Sequence, residues 1–182
     1  MAHRAGGRPT QEPYNPLVIV VLMGVAGTGK SHIGARLARA LGCSLLDGDD
    51  LHPAGNIAKM ARGEGLTDED RAPWLEQIRE HIKSAQAAGV NLVVACSALK
   101  RAYRQALDPE GVLRWVYLKG ERSLIERRLR VRVGHFMKAS MLDSQLAILE
   151  EPRPGEALTL EIAGQPDDIV ARILAWLFAN PA

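Results

Sequence analysis

The sequence LVIVVLMGVAGTGKS, from Leu17 to Ser31, is the most informative part of this chain. Seven apolar residues run from Leu17 to Met23, a glycine-rich octapeptide follows from Gly24 to Ser31, and apolar residues at helical spacing come next. The octapeptide matches G-x-x-x-x-G-K-[ST] and lies between a strand pattern and a helix pattern, which is the context that this motif requires. We therefore predict a phosphate-binding loop. The alternative is a glycine-rich turn that matches the pattern by chance.

The residue types of this loop suit a bound polyphosphate. Glycines carry no Cβ atom, so the backbone N–H groups can come close to the phosphates. Lys30 supplies positive charge for the β and γ phosphates, and the Ser31 hydroxyl is a ligand for Mg²⁺. The helix that begins here adds unpaired N–H groups and the positive end of its dipole. The predicted phosphate-binding residues are Gly24, Val25, Ala26, Gly27, Thr28, Gly29, Lys30 and Ser31.

The length and composition indicate a single globular domain. A chain of 182 residues with 47% hydrophobic and 24% charged residues can form a substantial core. Residues 1–16 contain Pro and Gly clusters and no apolar run, so we expect a flexible tail before one domain over residues 17–182. No stretch approaches the ~18 uninterrupted apolar residues of a membrane span. Cys43 and Cys96 lack metal-ligand spacing, which predicts reduced, buried thiols in a cytoplasmic protein.

The charge distribution predicts an anion site in the second half of the chain. Between Lys119 and Lys138 the local charge is +5, whereas the whole chain carries only +2. A basic patch on an otherwise acidic protein attracts an anion. Phe136 is the one aromatic residue among these charges, so a phosphate is a better fit than nucleic acid.

Strand and helix patterns alternate along the chain. This alternation predicts a parallel sheet with helices on both faces and ligands at the carboxyl ends of the strands. The predicted strands are Leu17–Met23, Ser44–Leu46, Asn91–Cys96, Val112–Leu118 and Ala157–Ile162. After the loop helix, the further predicted helices are Leu51–Arg62, a helix after Thr67, Leu99–Leu107, Arg122–Val133, Lys138–Glu150 and Asp167–Phe178.

The helix after Thr67 contains a proline. Thr67 and Asp70 have the spacing of a capping box, which predicts a helix start at this position. Pro73 lies too deep for an unbroken helix, so we predict one turn and a new start at Pro73.

Two aspartates follow the second predicted strand. Asp47 and Asp49 should therefore emerge beside the phosphate loop, and alternate residues at a strand end can point the same way. One carboxylate would hold hydrated Mg²⁺ or orient the loop, and the other would accept a proton from a substrate hydroxyl. A solvated acidic turn is the alternative.

Polar residues downstream of the aspartates are candidates for substrate contacts. His52, Asn56 and Lys59 share one face of the predicted helix, which suits a hydroxyl-rich substrate or a merely solvated face. Arg71 follows three acidic residues, so it either neutralises them or holds a carboxylate in a bidentate fork. Trp74 is a core residue in the favoured interpretation and a sugar platform in the other.

Arg128 and Arg132 lie four residues apart on the basic helix and therefore share a face. In phosphoryl transfer, such arginines neutralise the charge of the transferring group, and a mobile segment often supplies them. A solvated surface helix is the alternative. His135 is ambiguous on its own.

Five segments together resemble the gluconokinase family of small P-loop kinases. The most specific pieces are DGDDLHP, DRAPWL, CSALK and GHFM, and the likeness extends from Leu17 to Pro152. Shikimate kinases and nucleotide kinases share the loop and the lid but lack this set. The segments are MGVAGTGKS, LLDGDDLHPAGNIAKMARGEGLTDEDRAPWL, ACSALKRAYRQAL, YLKG and ERRLRVRVGHFMKASMLDSQLAILEEP.

The resemblance implies an activity and a fold. It implies ATP-dependent phosphorylation of D-gluconate at its 6-hydroxyl, with Mg²⁺, by a homodimer. It also implies an α/β P-loop NTPase fold of the nucleoside-monophosphate-kinase type, with a five-stranded parallel sheet, helices on both faces and a small helical lid at about residues 121–140.

The resemblance also assigns roles to residues. Asp49 corresponds to the carboxylate that contacts the accepting hydroxyl, and Arg71 to the group that holds the substrate. Arg128 and Arg132 correspond to the lid arginines, with Arg128 nearer the nucleotide. Further candidates for the substrate pocket are His52, Asn56, Lys59, His135 and Gln145.

Three places depart from the family pattern. Gly65 replaces a proline, which loosens that turn. Val133 stands where a lysine often follows the lid arginine, and Ile162-Ala163-Gly164 lacks an aspartate in the loop on the adenine side. Two other functions stay open: a kinase for shikimate or another sugar acid, and a nucleotide-dependent binding switch.

Overall fold

A five-stranded sheet forms the centre of the protein, in a computed structural model that describes residues 17–131 and 141–181. The strands are β1 (Ile19–Met23), β2 (Ser44–Asp47), β3 (Leu92–Ala95), β4 (Arg114–Lys119) and β5 (Leu158–Glu161). All four strand pairs are parallel, and the strand order is β2-β3-β1-β4-β5. The predicted parallel α/β sheet is therefore confirmed.

Helices cover both faces of this sheet, as the alternation predicts. Because successive side chains of a strand point to opposite faces, β1 contributes to two cores. The helices are α1 (Lys30–Leu41), α2 (Ala54–Arg62), α3 (Asp68–Ala88), α4 (Arg101–Leu107), α5 (Arg122–Val131), α6 (Met141–Ile148) and α7 (Pro166–Ala179). Val20 and Leu22 pack with α1, α5 and α7, whereas Val21 and Met23 pack with α3 and α4.

The register of the sheet brings three connecting loops to one edge. Ala95 at the end of β3 is paired with Asp47 of β2 and with Leu22 of β1, so the loops that follow these strands start side by side. Gly24 donates a backbone hydrogen bond of 3.2 Å to the carbonyl of Ser97, which ties the first loop to the third. The carboxyl edge of the sheet therefore brings the candidate residues together.

The second predicted helix begins later than its pattern suggested. Residues Gly48–Leu51 form a 3₁₀ turn, and α2 begins at Ala54 with Pro53 as its N-cap. His52 is extended (φ −67°, ψ 131°) because a proline disfavours the helical conformation of the residue before it. The prediction that His52 shares a helix face with Asn56 and Lys59 was therefore wrong.

The start of α3 confirms one prediction and overturns another. Thr67 and Asp70 form the predicted capping box. Pro73, however, does not break the helix, which is continuous from Asp68 to Ala88. Pro73 and Glu69 are both exposed, so water can reach the carbonyl that loses its helical partner, while Trp74 and the apolar residues after it hold the helix against the sheet.

Some predictions fall on segments outside the described residues. The tail before Leu17, and Arg132 and His135 within the segment between α5 and α6, belong to this group. The lid at residues 121–140 stays a prediction. Among the described residues, none of the helices has the length and apolar character needed to cross a membrane.

The two cysteines differ in their surroundings. Cys96 is buried, as predicted, and burial raises its pKa to about 12. Cys43 is only half-buried, so the prediction of two buried thiols was wrong for this residue. The reason is that Cys43 directly precedes β2, which lies at an edge of the sheet.

Candidate functional site

The glycines of the phosphate loop occupy positions that other residues would not fit. Gly24 has a φ of +141°, and a Cβ atom on it would lie 2.7 Å from the carbonyl oxygen of Leu118. Gly27 has a φ of +83°, and its Cβ would lie 2.9 Å from the Leu129 side chain on α5. The loop therefore packs tightly against β4 and α5 through its glycines.

Short-range hydrogen bonds stabilise the loop. The Thr28 hydroxyl donates to the carbonyl of Val25 at 2.9 Å, and Lys30 Nζ donates to the same carbonyl at 3.0 Å. Ser31 lies in the first turn of α1, directly after Lys30. The loop thus has the enclosed backbone and the positioned cation that a polyphosphate site requires.

Gln145 contacts the phosphate loop from a distant part of the chain. This residue of α6 is 3% exposed, and its Oε1 accepts a hydrogen bond of 2.7 Å from the N–H of Ala26. The resemblance places Gln145 in the substrate pocket, whereas the observed contact is with the loop backbone. Gln145 therefore links α6 to the loop.

A cavity adjoins the loop on the side of α7. It has a volume of about 230 Å³ and lies between the start of α1, Arg128 of α5 and the turn at Ile162 to Gly164. Arg128 donates a hydrogen bond of 3.0 Å to the carbonyl of Ile162, which fixes the guanidinium at the rim of this cavity. The position suits the base or ribose of a nucleotide whose phosphates lie in the loop. The cavity is lined by the loop itself and by the segment that lacks the expected aspartate.

The acidic turn after β2 faces the phosphate loop. The carboxylate of Asp47 accepts a hydrogen bond of 3.1 Å from the N–H of Asp49 and so caps the 3₁₀ turn. Asp47 is paired with Ala95 at the end of β3, and Ala95 is in turn paired with Leu22 near the end of β1. The charges of Lys30, Asp49 and Asp47 all act on the pKa of the buried Cys96 thiol, which follows Ala95. The acidic turn therefore starts at the same edge of the sheet as the phosphate loop.

His52 lies against Trp74 beside this turn. Their rings stack with centroids 4.3 Å apart, and Trp74 donates a hydrogen bond of 2.6 Å to the carbonyl of Gly48. Trp74 is 1% exposed, so its assignment to the core is confirmed. The pKa of His52 is lowered to about 4, mainly by burial. The charge of Asp49 partly opposes this shift, and the charge of Arg71 adds to it. His52 is therefore neutral near pH 7, and its Nδ1 has no hydrogen-bond partner among the described residues.

Asn56 and Lys59 bind the first turn of α3. Asn56 Nδ2 donates to the carbonyl of Asp70 at 2.8 Å, and Lys59 Nζ contacts both carboxylate oxygens of Asp70 at 2.7 and 2.8 Å. The Lys59 ammonium holds the pKa of Asp70 below its usual range. Asn56 is buried, so a merely solvated helix face does not describe this pair. Their observed contacts lock α2 onto α3.

Arg71 is buried near His52 and contacts a second element. Its Nη1 donates to the carbonyl of Leu66 at 2.7 Å and to Tyr103 Oη at 3.4 Å, and its guanidinium lies 5.7 Å from the centre of the Tyr103 ring. Within residues 17–131 and 141–181 no ion pair joins Arg71 to an acidic side chain, whereas Asp68 and Asp70 are paired with lysines. The observed contacts therefore favour a carboxylate-binding role over neutralisation of the preceding acids.

The sequence analysis missed one group of residues at this site. Tyr103 donates a hydrogen bond to Asp68, and Lys100 Nζ contacts both oxygens of Asp68 at 2.7 and 2.8 Å. Both residues belong to ACSALKRAYRQAL, a segment that carried the resemblance without any assigned role. That segment was the one available signal, because the spacing of these residues matches no known chemical motif.

The donor set fits Mg²⁺ bound with a nucleotide. In the part of the chain that the structure describes, no three His, Cys, Asp or Glu side chains form a metal cluster. Mg²⁺ does not need such a cluster, because it binds through one or two protein oxygens together with phosphates and water. Ser31 and Asp47 supply oxygens of this kind at the carboxyl edge of the sheet.

Comparisons with known protein sequences identify the family of this chain. A protein-family model described as "AAA domain" matches residues 19–152. The thermoresistant gluconokinase of Escherichia coli K12 is 43% identical over 156 residues, which cover 84% of this chain and 89% of that protein.

Solved structures of kinases are also similar to this chain. The unliganded crystal structure of a sugar kinase from Janibacter is 41% identical with a TM-score of 0.83, and covers 91% of this chain and 97% of its own. A gluconokinase from Sinorhizobium meliloti is also 41% identical with a TM-score of 0.76, and covers 92% and 98%. A shikimate kinase from Acinetobacter baumannii is 20% identical with a TM-score of 0.58, a likeness that concerns the fold alone. The protein therefore has a P-loop kinase fold and belongs to the gluconokinase family.

Proposed function

We propose that this protein transfers the γ-phosphoryl group of ATP to the 6-hydroxyl of D-gluconate, which gives 6-phospho-D-gluconate and ADP. The observation that carries the proposal is the register of the sheet, which starts the phosphate loop and the acidic turn of Asp47 and Asp49 at the same edge, while the charges of Asp49 and Arg71 both act on the buried His52. A phosphate-binding cation, a carboxylate and a buried arginine in one place suit a donor phosphate, an acceptor hydroxyl and an acceptor carboxylate.

The phosphate loop forms the donor half of the proposed site. The phosphates lie over the backbone of residues 24–31, and Lys30 neutralises charge on the group in transfer. Ser31 and Asp47 would hold Mg²⁺, which would offset the negative charge of the phosphates. Arg128 borders the cavity for the base, and Arg132, outside the described residues, is proposed as a second lid arginine.

The acidic turn and α3 form the acceptor half. Arg71 holds the carboxylate of the acceptor, while Asp49 orients the terminal hydroxyl and accepts its proton. Because His52 is neutral, it can hydrogen-bond a hydroxyl without adding charge. We propose further acceptor contacts for Asn56, Lys59, Gln145 and His135, the last of which lies outside the described residues.

The assembly and location are proposed from the resemblance. We propose a cytoplasmic homodimer that has neither nucleic acid nor a membrane as a partner. Sedimentation of the full chain at several concentrations tests the dimer, and a monomer at micromolar concentration would contradict it.

The test of the function is a coupled assay of ADP release with Mg·ATP. The acceptors are D-gluconate, shikimate, other aldonates and none. Strong stimulation by D-gluconate alone would support the proposal. Stimulation by shikimate or another sugar acid would favour a related kinase, and an ATPase rate that no acceptor changes would favour a nucleotide-dependent switch.

A further inference from the structure

Arg71 presents only part of its guanidinium to the protein. The hydrogen bonds of its side chain to described residues, to the Leu66 carbonyl and Tyr103 Oη, both involve Nη1. Arg71 is nevertheless only 7% exposed. A buried guanidinium whose remaining donors have no protein partner in the described part of the chain is suited to a bidentate ligand, provided that its orientation is fixed.

Tyr103 lies between Arg71 and the carboxylate of Asp68. Its ring, 6% exposed, lies under the guanidinium, and its hydroxyl accepts from Arg71 and donates to Asp68. Burial, together with the hydrogen bond to Asp68, raises the pKa of Tyr103, so the phenol keeps its proton. The hydroxyl thus completes a chain of hydrogen bonds from α3 to α4 and back to α3.

Asp68 is the acid that could otherwise compete for Arg71. The hydrogen bonds from Lys100 and Tyr103 hold the pKa of Asp68 below its usual range, and the charge of Arg71 contributes to this shift. Asp68 is therefore ionised and lies within electrostatic reach of Arg71, yet it pairs with Lys100 and not with Arg71. An internal Asp68–Arg71 ion pair would occupy the donors that an acceptor carboxylate needs.

We propose that Tyr103 is a positioning residue that orients Arg71 toward the carboxylate of the acceptor and keeps Asp68 from binding it. This inference rests on the carboxylate-binding role of Arg71 in the proposed function. The preference for an acidic acceptor over a neutral polyol then depends on Tyr103 of α4 as well as on Arg71 of α3.

The test is the Tyr103→Phe variant, which keeps the ring and removes the hydroxyl. Steady-state kinetics are measured with D-gluconate and with D-gluconamide, a neutral acceptor of the same length. We expect the KM for D-gluconate to rise about tenfold, as for the loss of a hydrogen bond to a charged group. The kcat, the KM for ATP and the KM for D-gluconamide should stay within about twofold of the wild-type values. Neither ATP nor D-gluconamide places a carboxylate on Arg71, so neither loses a charge-assisted contact.

Three further variants complete the design. In an Arg71→Lys background, which lacks the planar fork, Tyr103→Phe should not raise the KM for D-gluconate any further. Tyr117→Phe is the matched control, because Tyr117 is also a buried tyrosine bonded to a carboxylate, that of Glu151, and has no contact with Arg71. If Tyr103→Phe does not fold, Lys100→Met provides the alternative test. Asp68 then loses its cation and can compete for Arg71, so the KM for D-gluconate should rise about threefold, without a change for D-gluconamide.

The outcomes separate this inference from the proposed function. An equal rise in KM for both acceptors would assign Tyr103 a structural role only and overturn the inference. A wild-type KM in Tyr103→Phe, beside an Arg71→Lys variant that loses its preference for D-gluconate over D-gluconamide, would overturn the inference alone. An Arg71→Lys variant with unchanged preference would overturn the role of Arg71, and the inference with it.

Discussion

The donor and acceptor halves of the site are built in different ways. The phosphate loop is one contiguous stretch in which Thr28 and Lys30 both bond the carbonyl of Val25, within five residues. The contacts of the acceptor half join side chains far apart in sequence, such as Arg71 to Tyr103 and Tyr103 to Asp68, which are 32 and 35 positions apart. The donor half therefore depends on backbone geometry, and the acceptor half on the packing of α2, α3 and α4 against one another.

The largest effect should come from the loss of the loop cation. Lys30→Met should lower kcat/KM by about 10³-fold, because the charge of the transferring group loses a preorganised counter-charge. Urea denaturation should give a free energy of unfolding close to that of the wild type. Lys83→Met, at an exposed lysine of α3, is the control and should keep full activity. Comparable activity in both variants would remove Lys30 from the donor half.

The next effect concerns the acceptor half alone. Asp49→Asn should lower kcat by at least about 10²-fold, because the amide cannot accept the hydroxyl proton. Nucleotide affinity, measured by calorimetry, should stay unchanged, since the donor half does not use this carboxylate. Asp50→Asn is a matched control at the adjacent exposed aspartate. If Asp49→Asn retains near-normal turnover, the assignment of the general base is wrong.

Substitutions of two glycines, Gly48 and Gly55, test how closely the acidic turn packs against β3. A Cβ on Gly48 would lie 2.8 Å from the carbonyl of Ala95, so Gly48→Ala should destabilise the protein by about 2–3 kcal/mol through overpacking. Gly55→Ala is the control, because a Cβ there would meet nothing within 4 Å and the residue lies in α2. It should be neutral or stabilise by about 0.5–1 kcal/mol. Denaturation midpoints measure both, and equal effects would contradict the close packing of the turn.

The smallest effect is a pH dependence of stability. The pKa of His52 is about 4 in the folded protein and near 6.5 for an ordinary histidine, so the unfolded chain takes up the proton first as the pH falls. The free energy of unfolding should therefore be constant above about pH 7 and fall by roughly 1–2 kcal/mol by pH 5. His52→Gln should flatten this slope, whereas His81→Gln, at an exposed histidine, should retain it. A slope unchanged in His52→Gln would show that His52 is not the group that titrates.

Two errors of sequence interpretation concern prolines. Helical spacing placed His52 with Asn56 and Lys59, but Pro53 sets the conformation of His52 outside the helix. Pro73 indicated a break, yet packing of α3 on the sheet outweighs the lost hydrogen bond. In both cases the local signal was real, and its consequence depended on the surroundings of the residue.

Three features could be derived from the sequence alone: the sheet, the phosphate loop and the start of the acidic turn of Asp47 and Asp49 at the same edge of the sheet as that loop. These follow from hydrophobic periodicity, from the conformational freedom of glycine and from the rule that parallel strands present their carboxyl ends at one edge. The contacts of Arg71, and the position of Tyr103 between Arg71 and Asp68, required the packed structure. Such contacts arise where separate helices pack together, and no spacing within one segment encodes the distance between two side chains on different helices.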